Sequence, residues 1–246
     1  MNAPATAAST DTLRLRADEQ LAEGTMAFHF HKPAGFAFKP GQAIELFVHE
    51  REGEAAETGH AFSIVSAPHE DELVVATRMR DSAYKRALGR VPRGAGLRID
   101  GPFGSLTLHR NAQRPAVFIA GGIGITPFMS MLRNASHEGF ARDITLIYSN
   151  RRPEDAAFLY ELLALARQHP RFKLVATMTE MAKSSKPWSG ETRMIDAALI
   201  RDAAGTLPSP VYYVVGPPAM VEAIKKTLEE AGVDEDDVRS EDFYGY

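Results

Sequence analysis

The stretch that most limits what this 246-residue chain can fold into covers residues 115–127 and reads PAVFIAGGIGITP. Its first half is an apolar run, the pattern of a strand buried on both faces. The run breaks at Gly121, Gly122 and Gly124, passes Thr126 and Pro127, and continues over 128–132 as a second apolar run of helical character. Glycine lets a backbone turn tightly and approach a ligand with no Cβ in the way. The free N–H groups at the next helix start can hold an anion, and Pro127 suits the first helical turn. A strand-to-helix turn of this kind often cradles a nucleotide pyrophosphate. The G-x-G-x-x-G fingerprint is absent. The pattern alone therefore leaves two readings open, a nucleotide or phosphate site and a plain tight turn in an α/β layer.

From residue 115 onward, strands at 116–120, 144–149, 172–178 and 211–215 alternate with helices at 127–136, 153–168, 194–201 and 219–231. That rhythm implies an α/β doubly wound parallel sheet. Ligands in such sheets bind beyond the strand carboxyl ends. Residues 121–126, 150–152, 179–180 and 216–218 all fall there. The first half differs. Short strands at 12–16, 25–30, 42–49, 60–66, 72–80 and 97–100 predict an antiparallel barrel or sandwich. One helix at 82–89, with Ser82 as its N-cap, interrupts them and offers a second helix start for a phosphate. The polar link 109–114 divides the chain into domains at 12–111 and 112–246, with a small-molecule cleft expected between them.

Composition removes several chemistries. The chain has no cysteine, which excludes disulfides, thiolate nucleophiles and cysteine-held iron–sulfur or zinc sites. A net charge of -4 argues against nucleic acid as a partner. No run of about 18 apolar residues exists, so no membrane span is expected. Residues 1–11 read as a disordered lead-in, without the basic end and apolar core of a signal peptide. A cytoplasmic monomer is the expectation. Charge is uneven, however: Arg78, Arg80, Lys85, Arg86, Arg90, Arg93 and Arg98 cluster with Asp81 as the lone acid among them. That stretch reads either as a solvated basic face, or as a phosphate ligand at Arg80 with outer residues that dock an acidic partner. His29 and His31 share a strand face with no third ligand near, so no metal site is expected.

Over residues 12–246 the chain resembles the ferredoxin–NADP reductase superfamily. The superfamily's flavin motif R-x-[YF]-[ST] is met by His60-Ala61-Phe62-Ser63, and its G-G-x-G-x-T-P motif is matched in full by 121–127. Its later G-P motif is Gly216-Pro217, the barrel turn GPFG lies at 101–104, and the terminal EDFYGY stands where members place an aromatic residue against the flavin. The resemblance implies an N-terminal antiparallel Greek-key β-barrel that binds FAD and a C-terminal NAD(P)-binding α/β domain. It implies hydride transfer from NADH or NADPH to flavin N5, then electron transfer to a separate acceptor. That acceptor is an acidic ferredoxin or flavodoxin docked on residues 78–98.

By the same resemblance, Phe62 borders the isoalloxazine and Ser63 hydrogen-bonds near N5. Arg80 and the Ser82 helix start hold the flavin phosphates. Thr126 sits where flavin and nicotinamide meet. Gly121, Gly122 and Gly124 carry the pyridine-nucleotide pyrophosphate, with Gly216 and Pro217 on the same rim. Asn150 and Arg151 lie at the adenosine end. Glu241 and Phe243 close the nicotinamide side, and Tyr246 ends the aromatic tail. His60 departs from the pattern: it replaces the arginine that reaches the flavin pyrophosphate, and it is shorter and only partly charged near neutrality. Arg80 or Arg78 then carries that load, or the flavin is held loosely. Val215 stands where many members carry cysteine. Glu180 occupies a position at which phosphate-binding members carry arginine or serine. A carboxylate there repels a 2′-phosphate and accepts from a free ribose hydroxyl, which favours NADH despite Arg151, Arg152, Lys183 and Lys186 nearby. FAD is expected over FMN from family frequency. Two alternatives stay open, a free-flavin reductase and a non-enzymatic flavin-binding redox-sensing or regulatory subunit.

Overall fold

The computed structural model describes residues 9–51 and 56–244. Six strands, β1 (Ser9–Ala22), β2 (Thr25–His31), β3 (Ala43–Val48), β4 (Thr58–Ser63), β5 (Glu72–Arg78) and β6 (Gly96–Phe103), form an antiparallel sheet in the order β4-β3-β6-β1-β2-β5. β6 returns between β3 and β1, and β5 lies beside β2, the non-sequential returns of a Greek key. The sheet curls so that its edges meet at an Ile64–Val75 bridge, with Val65 N donating to Val74 O at 2.8 Å. Inside lie Leu13, Leu15, Phe28, Phe30, Ile44 and Leu46. The barrel is plugged by a short helix, α1 (Ala83–Leu88), whose Tyr84 is buried and donates its hydroxyl to Leu46 O at 2.7 Å.

β1 corrects the sequence reading at both ends. Residues 9–11, expected in the lead-in, pair with Gly101, Asp100 and Ile99, and the strand runs on to Ala22 opposite Thr25. Pairing on two sides extends a strand beyond what its own alternation signals. Residues 1–8 of the expected lead-in lie outside the described residues.

The second sheet is all parallel, in the order β11-β10-β7-β8-β9: β7 (Ala116–Gly121), β8 (Ile144–Asn150), β9 (Phe172–Met178), β10 (Val211–Gly216) and β11 (Val238–Asp242). Both faces are covered. Phe118 and Ala120 of β7 join the cluster under α2 (Thr126–Glu138) and α3 (Leu159–Gln168), whereas Val117 and Ile119 join the one under α4 (Ala197–Ala204) and α5 (Pro218–Glu230). The helix expected over 153–168 is broken. A 3-10 turn, Pro153–Asp155, is followed by Phe158 at φ 59, and only then by α3. The left-handed residue turns the Phe158 ring into the core, with the Arg133 guanidinium 5.6 Å from its centre.

One buried cluster spans the barrel and the parallel sheet. Ala27, Val65, Val74, Ala76 and Leu106 belong to the same buried cluster as Phe128 and Met131 of α2. Ser130 donates its hydroxyl to Ser66 O at 2.7 Å, and Arg152 bridges Glu23 at 2.7 Å and Asp155 at 2.8 Å. Among the described residues no helix is long and apolar enough to cross a membrane.

Candidate active site

Where the two sheets meet, a cleft of about 410 Å³ opens, within the size range of small-molecule sites. The barrel wall carries His60, Phe62 and Ser63 from β4, Arg78 from the end of β5, and Arg80 and Ser82 around the start of α1. The facing wall carries Thr126 from α2 and Glu241 and Phe243 from the C-terminal strand and its continuation. These expected residues, far apart in sequence, line one space. Gly121, Gly122, Gly124, Asn150, Arg151, Glu180, Gly216 and Pro217 do not line it and lie along the carboxyl rim of the parallel sheet. Tyr246 lies outside the described residues. Ile123, Thr77 and Lys85 also line the cleft and were missed by sequence reasoning.

The end of the cleft around α1 is built differently from the expectation. The His60 ring packs on Tyr84 at 4.1 Å between centroids, and burial together with the neighbouring Lys85 charge lowers its pKa. His60 is therefore neutral near pH 7. Lys85 lies 4.5 Å from the centre of the Phe62 ring and hydrogen-bonds the Thr77 hydroxyl. Burial pulls its pKa down to about 8. α1 has six residues, and the Ser82 hydroxyl is occupied in accepting from Lys85 N at 3.2 Å. The helix start thus presents little of the anion-binding capacity expected of it.

The basic stretch 78–98 does not form one docking face. Arg86 pairs with Asp81, Arg93 with Asp18 at 3.7 Å, and Arg98 with Glu57 at 2.8 Å and Asp100 at 3.1 Å. Arg78 and Lys85 turn into the cleft. Within this stretch, Arg80 and Arg90 are exposed and have no ion pair with another described residue. Elsewhere in the barrel, His29 sits between Glu72 at 2.8 Å and Glu19 at 3.4 Å.

The glycine turn opens as a 3-10 turn, Gly122–Ile125, ahead of α2. Its glycines answer to protein neighbours. A Cβ on Gly124 would lie 2.4 Å from Val215 O, and one on Gly216 would lie 3.2 Å from the Gly121 backbone. Gly122, at φ +55, is the half-exposed member, with an Arg78 guanidinium nitrogen 4.0 Å from where its Cβ would stand. That guanidinium also donates to Asp155 O at 3.5 Å. Thr126 is buried, and its hydroxyl donates to Ile123 O at 3.0 Å, which fixes the side chain at the cleft wall.

The rim brings Asn150, Arg151 and Glu180 together. Glu180 N donates to Arg151 O at 2.7 Å, and Thr179 N to Asn150 O at 3.0 Å. The Asn150 amide is buried beside the Tyr148 hydroxyl without a well-formed hydrogen bond. The Glu180 carboxylate pairs with Lys183 at 2.7 Å and Arg151 at 3.7 Å, and Lys183 above all holds its pKa below the usual value. At the other sheet edge, Phe243 N donates to Gly216 O at 3.0 Å, which ties the tail to β10.

Burial raises the pKa of Glu241. A carboxyl whose folded pKa lies above its unfolded value favours folding at low pH and loses that contribution as pH rises through the folded pKa. Glu241→Gln is therefore expected to melt above the parent at pH 8 and to lose that advantage below about pH 4, where both forms are neutral. Thermal unfolding at the two pH values checks this; a gap of the same size at both removes the ionisation account.

An oxidoreductase NAD-binding domain model matches residues 118–226. Ferredoxin–NADP reductase B of Sorangium cellulosum (strain So ce56) is 33% identical over 207 residues, covering 80% of this chain and 82% of that protein. The chain belongs to the ferredoxin–NADP reductase family. This family member is also 29% identical over 214 residues to the reductase component of propane 2-monooxygenase from Rhodococcus jostii (strain RHA1), covering 84% of the chain. It spans only 56% of that relative, and 61% of the Mycolicibacterium goodii component of the same name. In fold, the reductase-family chain superposes on a Neisseria gonorrhoeae ferredoxin NADP+ reductase crystallised with FAD and NADP, with TM-score 0.79 at 21% identity over 95% of this chain and 98% of that one. The flavohem-like FAD/NAD-binding domain of Vibrio cholerae nitric oxide dioxygenase matches with TM-score 0.81 at 21% identity, covering 94% and 98%.

Proposed function

We propose that this chain is an NAD(P)H-dependent flavoprotein reductase, with FAD on the barrel side of the cleft and a nicotinamide on the sheet side. One observation carries the reading: a single cleft has aromatic and small residues from β4 on one wall, the Thr126 and Glu241–Phe243 wall opposite, and cations at one end. A flavin, when bound, supplies a position that takes a hydride and releases electrons one at a time. The protein's part is to fix distance and exclude water, so no strong acid or base is required.

In this reading Phe62 packs against the isoalloxazine and Ser63 hydrogen-bonds near its N5. Thr126, its rotamer held by Ile123 O, sets the spacing between the two rings. Glu241 and Phe243 close the nicotinamide side. Arg80 meets the flavin phosphates, and Arg78 beside Gly122 meets the diphosphate of the pyridine nucleotide. Asn150, Arg151 and Glu180 take the adenosine end, near Gly216 and Pro217. The domain division lies at 111/112. The acceptor is a separate protein, as the names of the oxygenase reductase components and ferredoxin–NADP reductase B suggest by analogy. An acidic ferredoxin or flavodoxin would meet the outer residues of the 78–98 stretch, Arg90 among them. The proposed setting is a cytoplasmic monomer.

Anaerobic NADH is expected to bleach the flavin absorbance of the FAD-loaded protein within seconds. Protein that holds FAD but is bleached by neither NADH nor NADPH would replace this reading with the regulatory subunit. The neutral His60 ring on Tyr84, in place of a cation, favours a second reading, a free-flavin reductase that releases its flavin. Retention of FAD through gel filtration would remove it.

A further inference from the structure

We propose that Lys85 is the cation that grips the phosphate end of the flavin, in the role that His60 leaves open; this rests on the flavin reading of the cleft. The motif position is lost as a charge, since the His60 ring is spent on Tyr84. Lys85 reaches the same wall from α1, with its ammonium 4.5 Å from the Phe62 ring centre and 5.7 Å from that of Tyr84. Its hydrogen-bond partner is the neutral Thr77 hydroxyl, and among the described residues no carboxylate pairs with it. A half-buried ammonium without a counter-ion is unfavourable unless an anion arrives. The lowered pKa of about 8, caused by burial, is what such a missing partner produces.

Most of the competing cations are committed. Arg78 is engaged with Asp155 O beside Gly122, and Arg86, Arg93 and Arg98 are ion-paired. Arg80 also lines the cleft, but it is exposed, where an ion contact is worth less. The six-residue helix and the capped Ser82 hydroxyl add little of their own. That leaves Lys85 as the partly desolvated charge, where a phosphate contact gains most.

The test compares riboflavin, FMN and FAD, titrated into flavin-stripped full-length protein and followed by fluorescence quenching. Lys85→Met is expected to weaken FMN and FAD by roughly 10- to 100-fold, the worth of a charge-assisted hydrogen bond, and to leave riboflavin within about twofold. Lys85→Arg should keep the affinity, and His60→Arg added to Lys85→Met should restore it. FMN binding to the parent should weaken above about pH 8, a dependence that Lys85→Arg removes. Equal loss of riboflavin and FMN would make Lys85 a packing residue. Unchanged FMN affinity in Lys85→Met would also overturn the assignment. Parent protein that quenches none of the three flavins would remove the flavin reading itself, an outcome separate from failure of the lysine. Matching melting temperatures exclude a folding defect in Lys85→Met.

Discussion

Gly124→Ala is expected to unfold at a urea concentration about 1 M below the parent, from an overpacking cost of about 3 kcal/mol and a slope near 3 kcal/mol per M. The added methyl would stand 2.4 Å from Val215 O and 2.7 Å from Val215 C. Both atoms are backbone of β10, which is hydrogen-bonded to β7 on one side and β11 on the other, so neither can step aside without breaking the ladder. Gly121→Ala gives the contrast. Its methyl would meet Met220 Sδ at 2.5 Å, the end of a flexible side chain, though Pro217 Cδ also lies at 3.0 Å. Gly121→Ala should therefore lose less than Gly124→Ala. The reverse order in urea unfolding would mean that close backbone approach does not explain the glycines.

Glu180→Ser is expected to move the preference toward NADPH over NADH by roughly 10- to 100-fold in kcat/KM, the scale of one charge-assisted contact. In the parent, one carboxylate holds Lys183 at 2.7 Å and Arg151 at 3.7 Å. With the adenosine end at this rim, as proposed, that carboxylate occupies two cations that suit a 2′-phosphate and would repel the phosphate itself. Serine removes the repulsion and frees both cations together. The parent should accordingly prefer NADH. Measuring both nicotinamides with both proteins decides the matter. A parent that strongly prefers NADPH, or a ratio that does not move in Glu180→Ser, would place the ribose elsewhere.

The layered plan was legible because it is written locally. The apolar run of β7 and the helical run after Pro127 each carry their own period, and the alternating segments before residue 108 carry another. His60, Phe62 and Ser63 on one wall and Thr126, Glu241 and Phe243 on the other stand in short motifs, whereas Thr77, Lys85 and Ile123 in the same lining were missed. What was illegible depends on neighbours distant in the chain. Gly124 looks like a ligand glycine, yet the atom that demands it belongs to Val215. Arg93 and Arg98 look like free surface charge, yet Asp18 and Glu57 neutralise them. Lys85 reads as one more residue of a basic run, and only the Phe62 ring and the Thr77 hydroxyl reveal that it turns inward. Nothing in the sequence around Phe158 announces a left-handed residue; the core beneath it does.

The cluster that joins Ala27, Val65, Val74, Ala76 and Leu106 of the barrel side to Phe128 and Met131 of α2 sets a limit on modularity. Part of each half's buried surface is covered by the other, although the barrel keeps a cluster of its own around Phe28 and Ile44. A barrel grafted onto a different nucleotide-binding half would have to match the relief of this contact before any cofactor contact mattered. The same packing sets the two walls of the cleft against each other.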